Sequence, residues 1–275
     1  MIHGPNKSLG QHFLIDDNVV RKILNAFSPR SGELVVEIGP GEGALTRYLA
    51  EMEVETLAVE VDERLVDYLR DRLGKDSSVR VRHQDILTVD FLEIAAATGK
   101  PVRVLGNLPY NITSPILFRL AEQRAAIQDA WLMVQKEIAD RVSAGPATKE
   151  YGILSVLLQT YADVRSEFTV SRHVFRPRPQ VASAMLSLQW HDRWSRRIPD
   201  PDLYRVVVRT AFGKRRKTLR NALQYLPLER FDPDVLASDT GRRAEELTVE
   251  DFIALTGEIT EHYPGYKDQI DQAEL

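Results

Sequence analysis

The 275-residue chain has no cysteine, which excludes disulfides, thiolate metal sites and a cysteine nucleophile. No metal is expected. Nor does any stretch approach the ~20 consecutive apolar residues of a membrane span, and the opening MIHGPNKSLGQHFL lacks the apolar core of a secretory leader. A soluble, cytoplasmic protein with no membrane partner is expected. An excess of positive charge is missing too, since the formal net charge is -4, and taken globally this argues against a nucleic-acid partner. The average conceals patterning, however. Arg209, Lys214, Arg215, Arg216, Lys217 and Arg220 share one stretch without an acid, whereas Asp232, Asp234, Asp239, Glu245, Glu246, Glu250 and Asp251 follow it.

What is present is enough for a core: 43% of residues are hydrophobic, suiting one α/β domain with a smaller appendage. Short β-branched or apolar runs at Leu34 to Ile38, Thr56 to Val61, Val79 to Arg82, Val102 to Leu105 and Ala130 to Val134 alternate with helical spacings such as Leu65, Leu69 and Leu73. That alternation predicts a parallel sheet with helices on both faces. Helices are predicted from Lys136 to Val142 and from Ile153 to about Tyr161, with a break at Gly145 and Pro146. Two further strands, Val164 to Val170 and Ala184 to Trp190, have no room for a crossover helix between them and form an antiparallel pair. The fold class is thus a Rossmann-like sheet of seven strands, mostly parallel with an antiparallel edge strand, followed by a small all-α domain. A polar, proline-bearing linker from His191 to Pro201 sets the division at residues 1–192 and 193–275.

The first strand runs into Gly39-Pro40-Gly41-Glu42-Gly43, where glycines at alternate positions let the backbone turn sharply and approach a ligand. Gly43 follows Gly41 by two residues, so the dinucleotide fingerprint is not matched, and a ligand without pyrophosphate is favoured, such as S-adenosylmethionine. Glu60 ends the second strand where a carboxylate can accept both ribose hydroxyls, and Asp85 ends the third, where it can accept from an adenine amine. Each feature alone is equally a tight turn or a helix cap; the three together, all at strand ends, point to a nucleoside cofactor.

The fourth strand ends in Asn107-Leu108-Pro109-Tyr110. Taken alone this is a turn. Beside a nucleoside site it can also present the Asn107 amide oxygen and the Leu108 carbonyl to the two hydrogens of an aromatic amine, with Pro109 stiffening the turn and Tyr110 offering a face on which a base stacks.

Six ordered blocks resemble the ribosomal RNA adenine dimethyltransferase family, and its small-subunit branch in particular: KSLGQHFL from Lys7, EIGPGEGALT from Glu37, the acids Glu60 and Asp85, NLPYN from Asn107, FRPRPQVASA from Phe175 and FGKRRKTLRN from Phe212. The resemblance implies that His12 and Leu14 close over S-adenosylmethionine and that Gly39, with Gly41 in the same loop, and Glu60 hold its methionine and ribose side. Asp85 would read its adenine, and Asn107 would touch both cofactor and target amine. Phe175 would pack the target adenine opposite Tyr110, in an exposed loop where Arg176 and Arg178 face nucleic acid. Lys214, Arg215, Arg216, Lys217 and Arg220 would grip the RNA backbone from a helix whose other face carries Leu219, Ala222, Leu223 and Leu226. The implied activity is dimethylation of two adjacent adenines in the 3′-terminal hairpin of 16S rRNA within a pre-30S particle, by a monomer. Three alternatives stand beside it: a 23S rRNA adenine methyltransferase of the antibiotic-resistance type, whose tetrapeptide usually has isoleucine where Leu108 stands; a non-catalytic RNA-binding assembly or transcription factor on the same scaffold; and a DNA adenine methyltransferase, disfavoured because its second position is usually proline.

Overall fold

A computed structural model describes residues 4, 6, 9–74 and 77–270; Lys7 and Ser8 of the first motif block lie outside the described residues. In chain order, β1 (Phe13–Leu14) leads into α1 (Asp17–Phe27), and β2 (Leu34–Ile38), α2 (Thr46–Glu51), β3 (Glu55–Glu60), α3 (Glu63–Leu73), β4 (Val79–His83), α4 (Phe91–Thr98), β5 (Val102–Asn107), α5 (Thr113–Glu122) and β6 (Ile127–Gln135) follow. Next come α6 (Lys136–Ser143), α7 (Ile153–Gln159), β7 (Ala162–Val170), β8 (Phe175–Arg176) and β9 (Ser183–Trp190), and the chain ends with α8 (Pro201–Gly213), α9 (Leu219–Leu223), α10 (Val249–His262) and α11 (Tyr266–Ile270).

The large sheet has the order β4-β3-β2-β5-β6-β9-β7. Its first five strands are parallel, and β9 runs antiparallel to β6, with β7 outside it. Every residue of β2 is buried, as a central strand covered on both faces requires. Strand order reverses between β2 and β5, and there the chains approach closely: a Cβ on Gly106 would lie 2.8 Å from the Ile38 carbonyl oxygen. Only glycine fits at that point, and Asn107 follows at the carboxyl end of β5, where open α/β sheets bind ligands.

The helix α1 owes its start to Asp16, whose side chain accepts from the amides of Asn18 and Val19, and its docking to Val20, Ile23, Leu24 and Phe27, all buried. At its far end Arg103 ties helix to sheet. This buried guanidinium makes a two-pronged pair with Asp129 of β6, 2.7 Å at each prong. It also donates to Glu33 at 2.9 Å and to the Phe27 carbonyl at 2.9 Å.

Two compact units result: residues 1–139 with 163–190, and residues 140–162 with 191–275. The expected division was at 192; here one boundary falls between 190 and 191, and residues 140–162 group with the C-terminal helices. Their aromatic contacts explain this. The Tyr151 hydroxyl donates to the Leu247 carbonyl at 2.9 Å, the Tyr151 ring meets Phe212 edge-on, Phe212 meets Phe252, and Thr160 shares a 2.9 Å hydrogen bond with Tyr204.

Removing one member of a buried, hydrogen-bonded ion pair strands the other. Arg103→Ala should therefore cost about 3–5 kcal/mol of folding stability, read by urea unfolding; a loss below about 1 kcal/mol would show that Asp129 finds other partners.

Candidate functional site

A cavity of about 250 Å³ opens at the strand-order reversal. Its lining brings together residues 9–14, the glycine loop, Glu37, Glu60, Asp85 and the Asn107–Tyr110 turn. Of the residues expected to hold a nucleoside cofactor, His12, Leu14, Gly39, Gly41, Glu60, Asp85 and Asn107 all line it.

The loop takes its shape from the left-handed backbone of Gly39 (φ 63°) and Gly41 (φ 60°), a region costly for any residue with a Cβ. At Gly41 a Cβ would also meet the Phe13 ring at 3.0 Å, so the absent side chain lets β1 fold down over the loop. Glu60 is buried and fixed from below. One carboxylate oxygen accepts from the Gly41 amide at 3.2 Å, and the other from the amides of Val61 and Asp62 at 2.9 and 3.0 Å. Burial raises its pKa and these amides oppose the rise. A carboxylate offers about four acceptor positions, so capacity remains for a ribose hydroxyl. Asp85 is both a cap and a cavity residue: one oxygen accepts from the Leu87 amide at 2.9 Å, and the side chain is exposed at the cavity edge.

Glu37, given no role in the sequence analysis, is the more telling carboxylate. It is 1% exposed, lines the cavity, and its Oε2 is buried with no hydrogen-bond partner among the described residues. Burial pushes its pKa up to about 7, and the charge of Glu60 adds to the rise. A buried acid with one oxygen left unpartnered, beside Glu60, suits a cationic nucleoside, whose positive centre would complete it. The signal was visible as one acid in the otherwise apolar LVVEI.

The Asn107 side chain is oriented without ambiguity. Its Nδ2 donates to the His12 carbonyl at 2.9 Å, and since a carbonyl only accepts, the amide must turn its Oδ1 the other way. The Leu108 amide is used by the Met133 carbonyl at 2.9 Å, whereas no described hydrogen bond occupies the Leu108 carbonyl. Thr113 closes the turn by donating to the Pro109 carbonyl at 2.9 Å. Tyr110 is held at both ends: its hydroxyl lies 3.0 Å from the Ser183 hydroxyl, and its ring is 5.2 Å from that of His12, tilted by 31°. His12 in turn donates from Nδ1 to the Pro177 carbonyl at 2.8 Å. Gln11 secures the same segment by donating to Asp62 at 2.9 Å. The Arg64 guanidinium keeps Asp62 below the ordinary carboxylate range.

Two expectations need correction. Phe175 does not face the cavity: it is 3% exposed, sits opposite Leu14 in the β1–β8 pair, and packs in a core cluster with Val20, Leu24 and Met185. The strand pairing decides this, because Arg176, next along, takes the outward position, and Arg178 is exposed as well. The basic segment is likewise not uniform. Arg215 pairs with Glu245 at 2.7 Å and donates to the Thr148 carbonyl, and Arg220 pairs with Asp234 at 2.7 Å. Lys214, Arg216 and Lys217 are exposed. The helix there is short, Leu219–Leu223, with Lys214 to Thr218 outside it.

Because Glu37 carries its proton below pH about 7, affinity for a cationic nucleoside should fall as pH drops through that value. In Glu37→Gln the affinity should be lower and this pH dependence lost. Calorimetric titration with S-adenosylmethionine measures both, and an unaltered pH profile in the variant would remove Glu37 from the ligand's surroundings.

The chain matches the family model described as ribosomal RNA adenine dimethylase over residues 2–261. It is 45% identical over 250 residues to a ribosomal RNA small subunit methyltransferase A of Xanthomonas axonopodis pv. citri, covering 90% of this chain and 94% of that relative. The relative of the same name from Xanthomonas oryzae pv. oryzae is 44% identical with the same coverage. Among solved structures, a dimethyladenosine transferase from Plasmodium falciparum superposes with a TM-score of 0.77 at 25% identity, over 90% of this chain and 98% of that one. The 23S rRNA methyltransferase ErmE gives 0.66 at 25% identity over the same shares. The chain belongs to the ribosomal RNA adenine dimethylase family.

Proposed function

We propose that this protein transfers methyl groups from S-adenosylmethionine to the N6 amines of two adjacent adenines in the 3′-terminal hairpin of small-subunit rRNA, forming N6,N6-dimethyladenosines. The observation that carries the reading is the orientation of Asn107. With its nitrogen committed to the His12 carbonyl, its oxygen and the neighbouring Leu108 carbonyl form a pair of acceptors at the cavity.

The chemistry needs such a pair. The lone pair of an adenine amine is delocalised into the ring, so the group is flat and weakly nucleophilic. Two acceptors on its hydrogens draw it toward tetrahedral geometry and localise the lone pair on one side. When bound, S-adenosylmethionine supplies a methyl group made electrophilic by the attached sulfonium. Glu60 and Asp85 lie where they can hold its ribose and adenine, and Glu37 where it can face its positive charge. Tyr110, clamped between Ser183 and His12, offers a fixed surface for the extruded base. After the first transfer one N–H remains, for which one of the two acceptors suffices. The proton released at each step passes to solvent, so no general base is required.

The small-subunit assignment is favoured by relatives named for that subunit at 45% identity over nine-tenths of the chain, against 25% for the 23S enzyme. A non-catalytic role fits less well, because the acceptor pair, the glycine loop and the acids Glu37, Glu60 and Asp85 are in place at the cavity. We place the reaction in the cytoplasm, on a pre-30S particle, carried out by a monomer. Residues 1–139 with 163–190 would bind the cofactor and offer Arg176 and Arg178 to RNA, and residues 140–162 with 191–275 would recognise RNA through Lys214, Arg216 and Lys217. No helix among the described residues is long and apolar enough to cross a membrane.

Purified protein incubated with labelled S-adenosylmethionine and unmethylated small subunits should label the RNA. Asn107→Ala should lower the rate by about 10²–10³-fold, the usual cost of one positioned charge-stabilising group, with the unfolding midpoint little changed. Wild-type turnover in that variant would refute the assigned role.

A further inference from the structure

The turn between α8 and α9 holds a surface that the reaction centre does not use. Lys217 donates its amide to the Lys214 carbonyl at 2.7 Å, closing the turn that carries Arg215 and Arg216. Just past α9, Tyr225 is 64% exposed, and the Lys214 Nζ lies 4.5 Å from the centroid of its ring. The backbone beneath is pinned. Leu219, Ala222, Leu223 and Leu226 are buried, and the amides of Leu219 and Arg220 donate to the carbonyls of Arg242 and Thr240 at 2.8 and 2.9 Å. The first helical amides are therefore spent, and any anion here must be held by side chains.

Those side chains divide into two sets. Arg215 and Arg220 are held by Glu245 and Asp234. Lys214, Arg216 and Lys217 are exposed and meet no carboxylate in any described ion pair, although acids crowd the sequence that follows. An exposed aromatic plane with one lysine over it, and two more exposed cations, Arg216 and Lys217, in the turn that carries that lysine, match the two halves of a nucleotide, base and phosphate. A membrane surface would call for several apolar side chains beside the cations, and an acidic protein face for no aromatic plane at all.

We propose that Tyr225 is a stacking platform for an unpaired base of the rRNA substrate, with Lys214 and Lys217 placed to hold the flanking phosphates. This rests on the rRNA reading above and adds to it a second contact, made through a base face rather than through charge. The Lys214 ammonium lies over one face of the ring, and the ring is otherwise mostly open to solvent, so the base would stack on the face away from the lysine.

Stacking and charge leave different signatures in salt. The affinity of the full chain for a synthetic small-subunit 3′-hairpin RNA, measured across a salt series, should fall about 5- to 100-fold in Tyr225→Ala, the range of one lost base–aromatic stack, with an unchanged salt slope. Tyr225→Phe should bind like the parent protein. Lys217→Ala should flatten the slope by roughly one unit. Unchanged affinity in Tyr225→Ala, a flattened slope in that variant, or an equal loss in Tyr225→Phe would each overturn the platform. So would a loss seen only with whole small subunits and not with the naked hairpin, which would assign Tyr225 to a ribosomal protein. Failure of the parent protein to bind or methylate the RNA would instead sink the rRNA reading itself.

Discussion

One hydrogen bond sets the polarity of the site: Asn107 Nδ2 to the His12 carbonyl, 2.9 Å. An asparagine side chain can present either a donor or an acceptor to a ligand, and only the acceptor activates an amine. The strand end alone does not choose. The choice is made by the segment before α1, which reaches the cavity because β1 pairs with β8 and Phe13 lies against Gly41. Gln11 on Asp62 and His12 on the Pro177 carbonyl hold that segment from both sides. The N-terminal motif thus acts through its backbone as much as through its side chains.

The cavity is also electrostatically unfinished. Glu37 and Glu60 are both buried; burial, and then the charge of Glu60, raise the cost of ionising Glu37. Glu60 is compensated by three main-chain amides, whereas the Oε2 of Glu37 meets no described partner. A neutral nucleoside would leave that debt standing; a cationic one removes it. In the reaction proposed, the same imbalance would favour a positively charged methyl donor over its neutral product, which would help an enzyme that exchanges donor for product several times on one substrate.

Much of this was legible in the sequence. The large sheet's strands appear where β-branched runs alternate with helical spacing, and the glycine loop, Glu60, Asp85 and the Asn107 turn fall at strand ends as their positions require. Helix α1, absent from the expectations, is also announced, by Asp16 and the spacing of Val20, Ile23, Leu24 and Phe27. Three things were not legible. The inward turn of Phe175 depends on pairing with Leu14, more than 100 residues away, which no local pattern reports; two arginines beside an aromatic suggested exposure, but alternation along two residues of strand assigned the outward place to Arg176. The grouping of residues 140–162 with the C-terminal helices rests on Tyr151 and Tyr204, whose partners are equally remote. Charge runs, finally, do not reveal which cations already have carboxylates: Arg215 and Arg220 do, and their neighbours do not.

The most direct test is a structure of the protein with S-adenosylhomocysteine and a hairpin RNA carrying the target adenine. The extruded N6 should lie about 2.7–3.2 Å from both the Asn107 Oδ1 and the Leu108 carbonyl oxygen, with the Asn107 nitrogen still on His12. An amide turned so that its nitrogen faces N6, or an adenine seated away from this pair, would contradict the account.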